Sequence, residues 1–461
     1  MRDLLLAAIV FGMLPLCFLR PWVGFLMWTW IGMMNPHRLT FGFAYDFHWA
    51  MIVGAATLAG LLLTRDKKPV PWNTQLVLMA VLPAYFTFTS LFAWAPDAAW
   101  EQWERVMKVI VMAIIATTVI YGKERIRWLL IVIALSIGYY GIKGGIWVIA
   151  TGGGERVHGP ANSFISQSNG IGVGLLMVVP IMLALAREES RKWVRGFFNA
   201  SAALCMISTV FTYSRGAMLG LAAAAPFLFM RSKRKFVAAL VLAPVIAAGI
   251  LWAPDKLFER AETIGGYEED ISAMQRIQSW TVAWNIAVES PLTGAGFNFE
   301  SFPGNDRWLS YSDPALYKYL DHSASAHSIY FQMLGQHGIV ALGLYLFLIF
   351  STLWKCKRLE KRTAGDPELE WIGNYASAIR ICLIGYMVSG AFLSTAYFDL
   401  AWVYYSFTAI LSRELPEHAV ATRKLAMSEN GARARMAPAA QVEQKPSPSG
   451  IGSAHSRKAG V

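Results

Sequence analysis

The chain has 461 residues, of which 55% are hydrophobic and only 15% charged, with a mean hydropathy of +0.41. This excludes a soluble domain, and the apolar runs of roughly 15 to 25 residues suit helices crossing a ~30 Å hydrocarbon core rather than alternating β-barrel strands. The net charge of +11 calls for no nucleic acid, because the basic residues cluster in short connections between apolar runs, as membrane topology requires.

From the start, MRDLLLAAIV continues into further apolar sequence without a small-residue cleavage site, so this first segment is expected to be retained. Leu4 to Leu19 and Trp22 to Met34 are short and separated only by Arg20 and Pro21, which leaves the parity of the N-terminus open. Five basic clusters then mark the cytoplasmic side. They are Arg65, Lys67 and Lys68; Lys123, Arg125 and Arg127; Arg187, Arg191, Lys192 and Arg195; Arg231, Lys233, Arg234 and Lys235; and Lys355, Lys357, Arg358, Lys361 and Arg362.

By that parity, residues 151–169 (TGGGERVHGPANSFISQSN) form an outer loop. Between the third and fourth clusters, the 34 residues Phe197 to Met230 contain one charge, Arg215, and must leave and re-enter the membrane. The turn is expected at Ser214, Arg215 and Gly216, which lifts the guanidinium out of the bilayer centre, where it would cost at least ~2.5 to 3.5 kcal/mol. Lys143, inside the span GYYGIKGGIWV, is an intramembrane charge and by default a functional candidate.

The segment from about Asp255 to Ala326 is the largest piece outside the membrane. It holds eleven acidic residues against Lys256, Arg260, Arg276, Arg307 and Lys318, a balance open to a translocated loop. Within it, Ile271, Met274, Ile277, Trp280, Thr281 and Trp284 recur near helical spacing after Glu268, Glu269 and Asp270, and Pro291 and Gly294 end the pattern. This predicts an amphipathic helix lying on the outer leaflet, with Arg276 facing lipid headgroups. The acidic run fits helix-start chemistry and lacks the alternating spacing of a calcium loop, so no metal is expected. Four cysteines in or beside apolar spans, with no CxxC pair, offer no metal or disulfide framework.

His327 then opens the next span on the same side as Arg215 and Arg276. Guanidinium groups grip phosphate oxygens and stay charged, and an imidazole can take a hydroxyl proton near neutrality, so the three suit a reaction on a lipid diphosphate. Blander readings exist for each. Arg215 would simply end a helix, Arg276 would pair with Glu269 or Asp270, and His337, ten residues past His327, would make a buried contact beside Gly335 and Gly338. Residues 413–461, polar and rich in Ala, Pro and Ser, read as a disordered cytoplasmic tail.

YSRGAMLG, the Arg276-x-x-x-Trp280 pattern with PLTGAGFNF downstream, and HSIYFQMLGQHGIVALG together resemble the O-antigen ligase and polymerase family. MNPHRL at Met34 to Leu39 and RVHGPANSFI at 156–165 resemble its branch of O-glycosylation ligases associated with the exosortase A system. The resemblance covers roughly residues 1–412. It implies a membrane glycosyltransferase without cofactor or metal, moving a glycan from undecaprenyl diphosphate to an acceptor hydroxyl of a protein or of lipid A core, with inversion. Carried over by motif, Arg215 and Arg276 would bind the donor diphosphate and His327 would be the base. Arg156, Asn169 and His337 are further candidates.

The expected protein is thus all-α: a polytopic inner-membrane protein of about 12 transmembrane helices, or about 13, with its active site facing the periplasm. Its parts are spans with short loops over 1–254, a periplasmic loop with the amphipathic helix over 255–326, C-terminal spans over 327–412 and the tail. The partners are the lipid-linked glycan, its acceptor and membrane lipids. A polysaccharide polymerase is the nearest rival reading, and a flippase or transporter of lipid-linked glycan is the rival from another class.

Overall fold

A computed structural model describes residues 1–231, 235 and 271–415, and among these it is all-α, with no strand. Arg20 leaves the helical region at φ −130°, and Pro21 takes the first helical position, where its missing N–H costs nothing. The two short apolar segments are therefore separate helices, α1 (Arg2–Leu19) and α2 (Pro21–Met34). After them come α3 (Trp49–Leu63), α4 (Thr74–Ser90), α5 (Pro96–Val119), α6 (Gly122–Thr151), α7 (Ser168–Glu188), α8 (Lys192–Val210) and α9 (Arg215–Arg231). Beyond the undescribed stretch lie α10 (Ile271–Glu289), α11 (Ile329–Thr363), α12 (Glu370–Gly390) and α13 (Asp399–Arg413). Helices α1, α6, α7 and α11 are long and apolar enough to cross a membrane. Helix α7 is buried along almost its whole length between α6, α8, α9 and α12, as expected of a helix that is apolar all round.

Contacts between helix ends sort the described chain into two ends. At one, Lys68 N–H donates to Thr118 O, Arg413 to Thr117 O and Pro69 O, and Arg187 to Arg231 O. The described residues of the basic clusters gather here, and several arginines at this end are matched by carboxylates. Arg125 pairs with Asp66 at 2.6 Å, Arg380 and Arg231 share Glu360 at 2.6 and 3.3 Å, and Arg127 pairs with Glu189. At the opposite end, here called the far end, Asp3 accepts from the N–H groups of Gly42 and Ala44, and Asn162 donates to Tyr45. There too Val157 N–H meets Phe211 O, and Trp94 N–H meets Ala295 O. The N-terminus of α1 therefore lies at the far end.

Three expectations change or gain detail. The turn between α8 and α9 occupies residues 211–214, and Arg215 is the first residue of α9 rather than part of the turn. Lys143, inside a span as expected, lies on the exposed face of α6, and its long stem can carry the ammonium toward the helix end. The amphipathic helix exists as α10, but it packs on α11 and buries Met274, Gln278, Val282, Ala283 and Ile286 within the protein, leaving Ile271 and Trp284 exposed. The reason is small-residue packing: a Cβ on Gly335 would lie 3.0 Å from that of Ala283, so α11 meets the side of α10 that carries Ala283 and Trp280, and Trp284 is left exposed. Glu268, Glu269 and Asp270 lie outside the described residues, as do 236–267 and the tail from 416.

Candidate active site

Two of the sequence's motifs meet here through their backbones. PLTGAGF turns under α10 with Gly294 and Gly296 at φ +59° and +83°, and Ala295 and Gly296 donate to the carbonyls of Gly335 and Gln336 at 2.9 and 2.8 Å. Helix α11 is broken at that level by Gly338, at φ +78°, where Ile339 N–H donates to Pro291 O. A Cβ on Gly338 would stand 2.3 Å from Pro291 O, so the glycine is required by close approach as well as by its backbone angles. The knot fixes the outer two turns of α11 relative to α10.

On this scaffold His327 sits one residue before the N-cap Ser328, exposed and in the left-handed region at φ +46°. A non-glycine residue held there stores of order 1 to 3 kcal/mol of strain, which the surroundings must maintain. They do so from both sides. Ala326 O accepts from Trp280 Nε1 at 2.7 Å, and Phe331 stacks on the Trp280 ring at 5.0 Å with an interplanar angle of 7°.

Arg276 precedes Trp280 by one helical turn and so shares its face of α10. Partial burial, and then the positive charge of Arg276, hold the His327 imidazole below its usual pKa of 6.5. The structure thus brings Arg276 and His327 together electrostatically. An imidazole so poised is neutral at pH 7 and able to accept a proton.

Arg215 arrives by a separate route. Ser214 caps α9, its Oγ accepting from Ala217 N–H at 3.3 Å, so Arg215 takes the first helical position and is exposed. A cation at a helix N-terminus opposes the macrodipole by ~0.3 to 1 kcal/mol, yet the same two features side by side make an anion site. Helix α12 ties this terminus to the histidine. Cβ atoms built on Gly216 and Gly390 would stand 3.1 Å from Ser389 O and 2.7 Å from Ile329 Cδ1, and Ile329 is two residues past His327.

The remaining candidates divide. Arg156 is exposed on the 152–167 loop, which is clamped to the Arg215 turn by Val157 N–H to Phe211 O and by Tyr213 Oη to Gly153 O at 2.8 Å. Asn169 is half-buried at the start of α7. His337 does not join the site. It is fully buried, stacked on Phe86 at 4.4 Å and edge-on to Phe297 at 4.4 Å, with Nδ1 2.6 Å from Thr89 Oγ1. Thr89 donates its own proton to Phe86 O, so the imidazole donates to Thr89 as the neutral Nδ1–H tautomer.

One acidic residue went unflagged in the sequence. Glu300, on the turn after GAGFNF, is pushed above its ordinary pKa by burial, and hydrogen bonding to Gln336 opposes that rise. Gln336 in turn accepts from Tyr397 at 2.7 Å. A single carboxylate between aromatic residues was the available signal. Among the described residues, no group of three His, Cys, Asp or Glu side chains is placed to hold a metal ion.

Residues 200–346 match the family model described as O-antigen ligase, and residues 1–190 match a family of unknown function (DUF5935). The first match contains Arg215, Arg276, His327 and His337; the second contains Arg156 and Asn169. No curated protein matches the chain.

Proposed function

We propose that this chain, which belongs to the O-antigen ligase family through residues 200–346, moves a finished glycan from undecaprenyl diphosphate to an acceptor hydroxyl at the far end of its bundle. The family makes it a membrane enzyme of the lipid-linked glycan ligase or polymerase type; donor, acceptor and mechanism are the proposal. The observation that carries it is the charge of Arg276 acting on the exposed imidazole of His327, with the terminus opened by Arg215 joined to the start of the histidine's helix through α12.

In this mechanism Arg215, the N–H groups opening α9, and Arg276 grip the diphosphate. The acceptor oxygen attacks the anomeric carbon from the face opposite the phosphate while its proton passes to His327. The bond from the anomeric carbon to the phosphate oxygen breaks, the electron pair leaves with undecaprenyl diphosphate, and the arginines stabilise the charge growing there. Configuration at that carbon inverts, and no metal takes part. The basic end faces the cytoplasm by the positive-inside rule, which puts the site on the periplasmic side of the inner membrane, in a protein of about 12 or 13 spans. The acceptor is a protein hydroxyl, in keeping with the exosortase-associated branch, or a lipid A core sugar.

The test is acceptor-dependent release of undecaprenyl diphosphate from a synthetic lipid-linked glycan by the purified protein. A single transferred unit marks a ligase and a ladder of lengths marks a polymerase. Release that ignores the acceptor, or movement of the lipid across vesicles without any release, rejects the proposal.

A further inference from the structure

Helix α10 carries more than Arg276. Near its C-terminal end, with the segment that follows, it encloses an open depression of about 410 Å³ lined by Asn285, Val288, Glu289, Ser310 and Tyr311. That volume lies at the lower end of the ~300 to 1,000 Å³ usual for small-molecule sites.

The lining selects a ligand class. Its one charge is the carboxylate of Glu289 and it contains no cation, so it is not built for phosphate. Its polar groups are an amide, a carboxylate, a hydroxyl and a phenol, too many for a lipid tail. Beside them stand one aliphatic side chain and one aromatic face. Sugar rings combine the same qualities, with hydroxyls at the edge and C–H groups on the faces.

The polar groups are also fixed in place. The Glu289 carboxylate lies near enough to the Tyr311 phenol to help burial raise its pKa, and Asn285 donates one of its two N–H groups to Tyr311 O at 2.8 Å, leaving its amide oxygen and other N–H to a ligand. The Tyr311 ring is backed by Trp94 at 5.2 Å, which is itself covered by Arg307 at 4.1 Å.

The depression is joined to the reacting centre by the strand of chain between them. Residues 311–326 run back along α10, held by Gln278 to Ser312 and Leu320, by Gln275 to Tyr319 and by Trp280 to Ala326. Arg276 and Asn285 stand nine residues apart on one rigid helix, about 13 Å along its axis.

We propose that this depression is a glycan subsite, holding a neutral, hydroxyl-rich sugar several rings from the bond that breaks. The proposal rests on the reading of the substrates as glycans and adds where one of them is held. The sugar belongs either to the donor chain or to a glycan acceptor, and the experiment separates the two.

Purified full-length protein is given a methyl-capped neutral tetrasaccharide, and saturation-transfer NMR reads its binding with no turnover required. Wild type is expected to give transfer signals, reduced several-fold in Glu289→Gln, in Tyr311→Phe and in Ser310→Trp, which fills the depression from an exposed position. The two conservative variants guard against loss of signal through misfolding. In the kinetic arm, Glu289→Gln is expected to raise the KM of a four-sugar donor relative to a one-sugar donor by about tenfold. If the ratio moves only when the acceptor is lengthened, the sugar is the acceptor's. Undiminished NMR signals in all three variants, or no signal in wild type, overturn the subsite. Absence of transfer from either donor by wild type would instead count against the proposed function, while the NMR arm still reports on the depression.

Discussion

Two histidines ten residues apart, at the same end of the same chain segment, occupy opposite environments. His327 is exposed, held in the left-handed region by its neighbours and depressed in pKa by burial and by Arg276. His337 is enclosed by Phe86 and Phe297 and spends its one N–H on Thr89. In the proposed function, the histidine that the fold strains, leaves accessible and sets near a positive charge is the one placed for chemistry, and the one walled in by aromatic rings is placed for packing. The difference comes from Gly338 and the PLTGAGF turn, which pin the helix around His337 and leave its first residues to carry His327.

Substitutions should separate the two regions. The largest effect is expected from His327→Ala, a loss of about 10² to 10⁴ in turnover with donor binding retained, read by steady-state release of undecaprenyl diphosphate. Next comes Arg215→Ala, at about 10² to 10³, with Arg215→Lys recovering only part because an ammonium cannot offer the guanidinium fork. Arg276→Ala should weaken transfer and also move its pH dependence. The wild-type acid limb is expected below pH 6.5, and removing the neighbouring cation should shift that limb to higher pH, toward the ordinary imidazole value, as measured by pH-rate profiles. An unshifted limb would detach Arg276 from the histidine.

Smaller effects belong to the His337 side and should appear in stability. Gly338→Ala must force a Cβ toward Pro291 O in a backbone region closed to alanine, costing about 1 to 3 kcal/mol and lowering Tm in detergent. His337→Gln keeps a donor for Thr89 but loses the ring stacking. It should cost about 1 to 2 kcal/mol while changing turnover per folded molecule by less than about threefold. A collapse of turnover in a folded His337→Gln protein would erase the distinction between the two histidines.

Much of this was legible in the sequence, for physical reasons that can be named. Apolar run length predicted the helices, and basic clusters predicted which ends meet, because both reflect burial and charge along single segments. Arg215 stood out as the one charge in its stretch and His327 as the residue opening a span. The face of α10 was not legible, since which stripe is buried depends on Gly335 in a partner helix fifty residues on, where Ala283 fits and Trp284 does not. For Lys143 the sequence gives depth along the helix but not the direction the side chain faces. Glu300 and the Asn285–Tyr311 depression were hidden because each is assembled from segments that only the fold brings together.

Chemical rescue of His327→Gly addresses the base most directly. With lipid-linked glycan and acceptor present, added imidazole should restore acceptor-dependent release of undecaprenyl diphosphate in a saturable, pH-dependent manner and should leave Arg215→Ala unrestored. A folded, donor-binding His327→Gly protein that imidazole does not rescue, or one that turns over at the wild-type rate without it, would contradict the assignment of His327 as the group that takes the acceptor's proton.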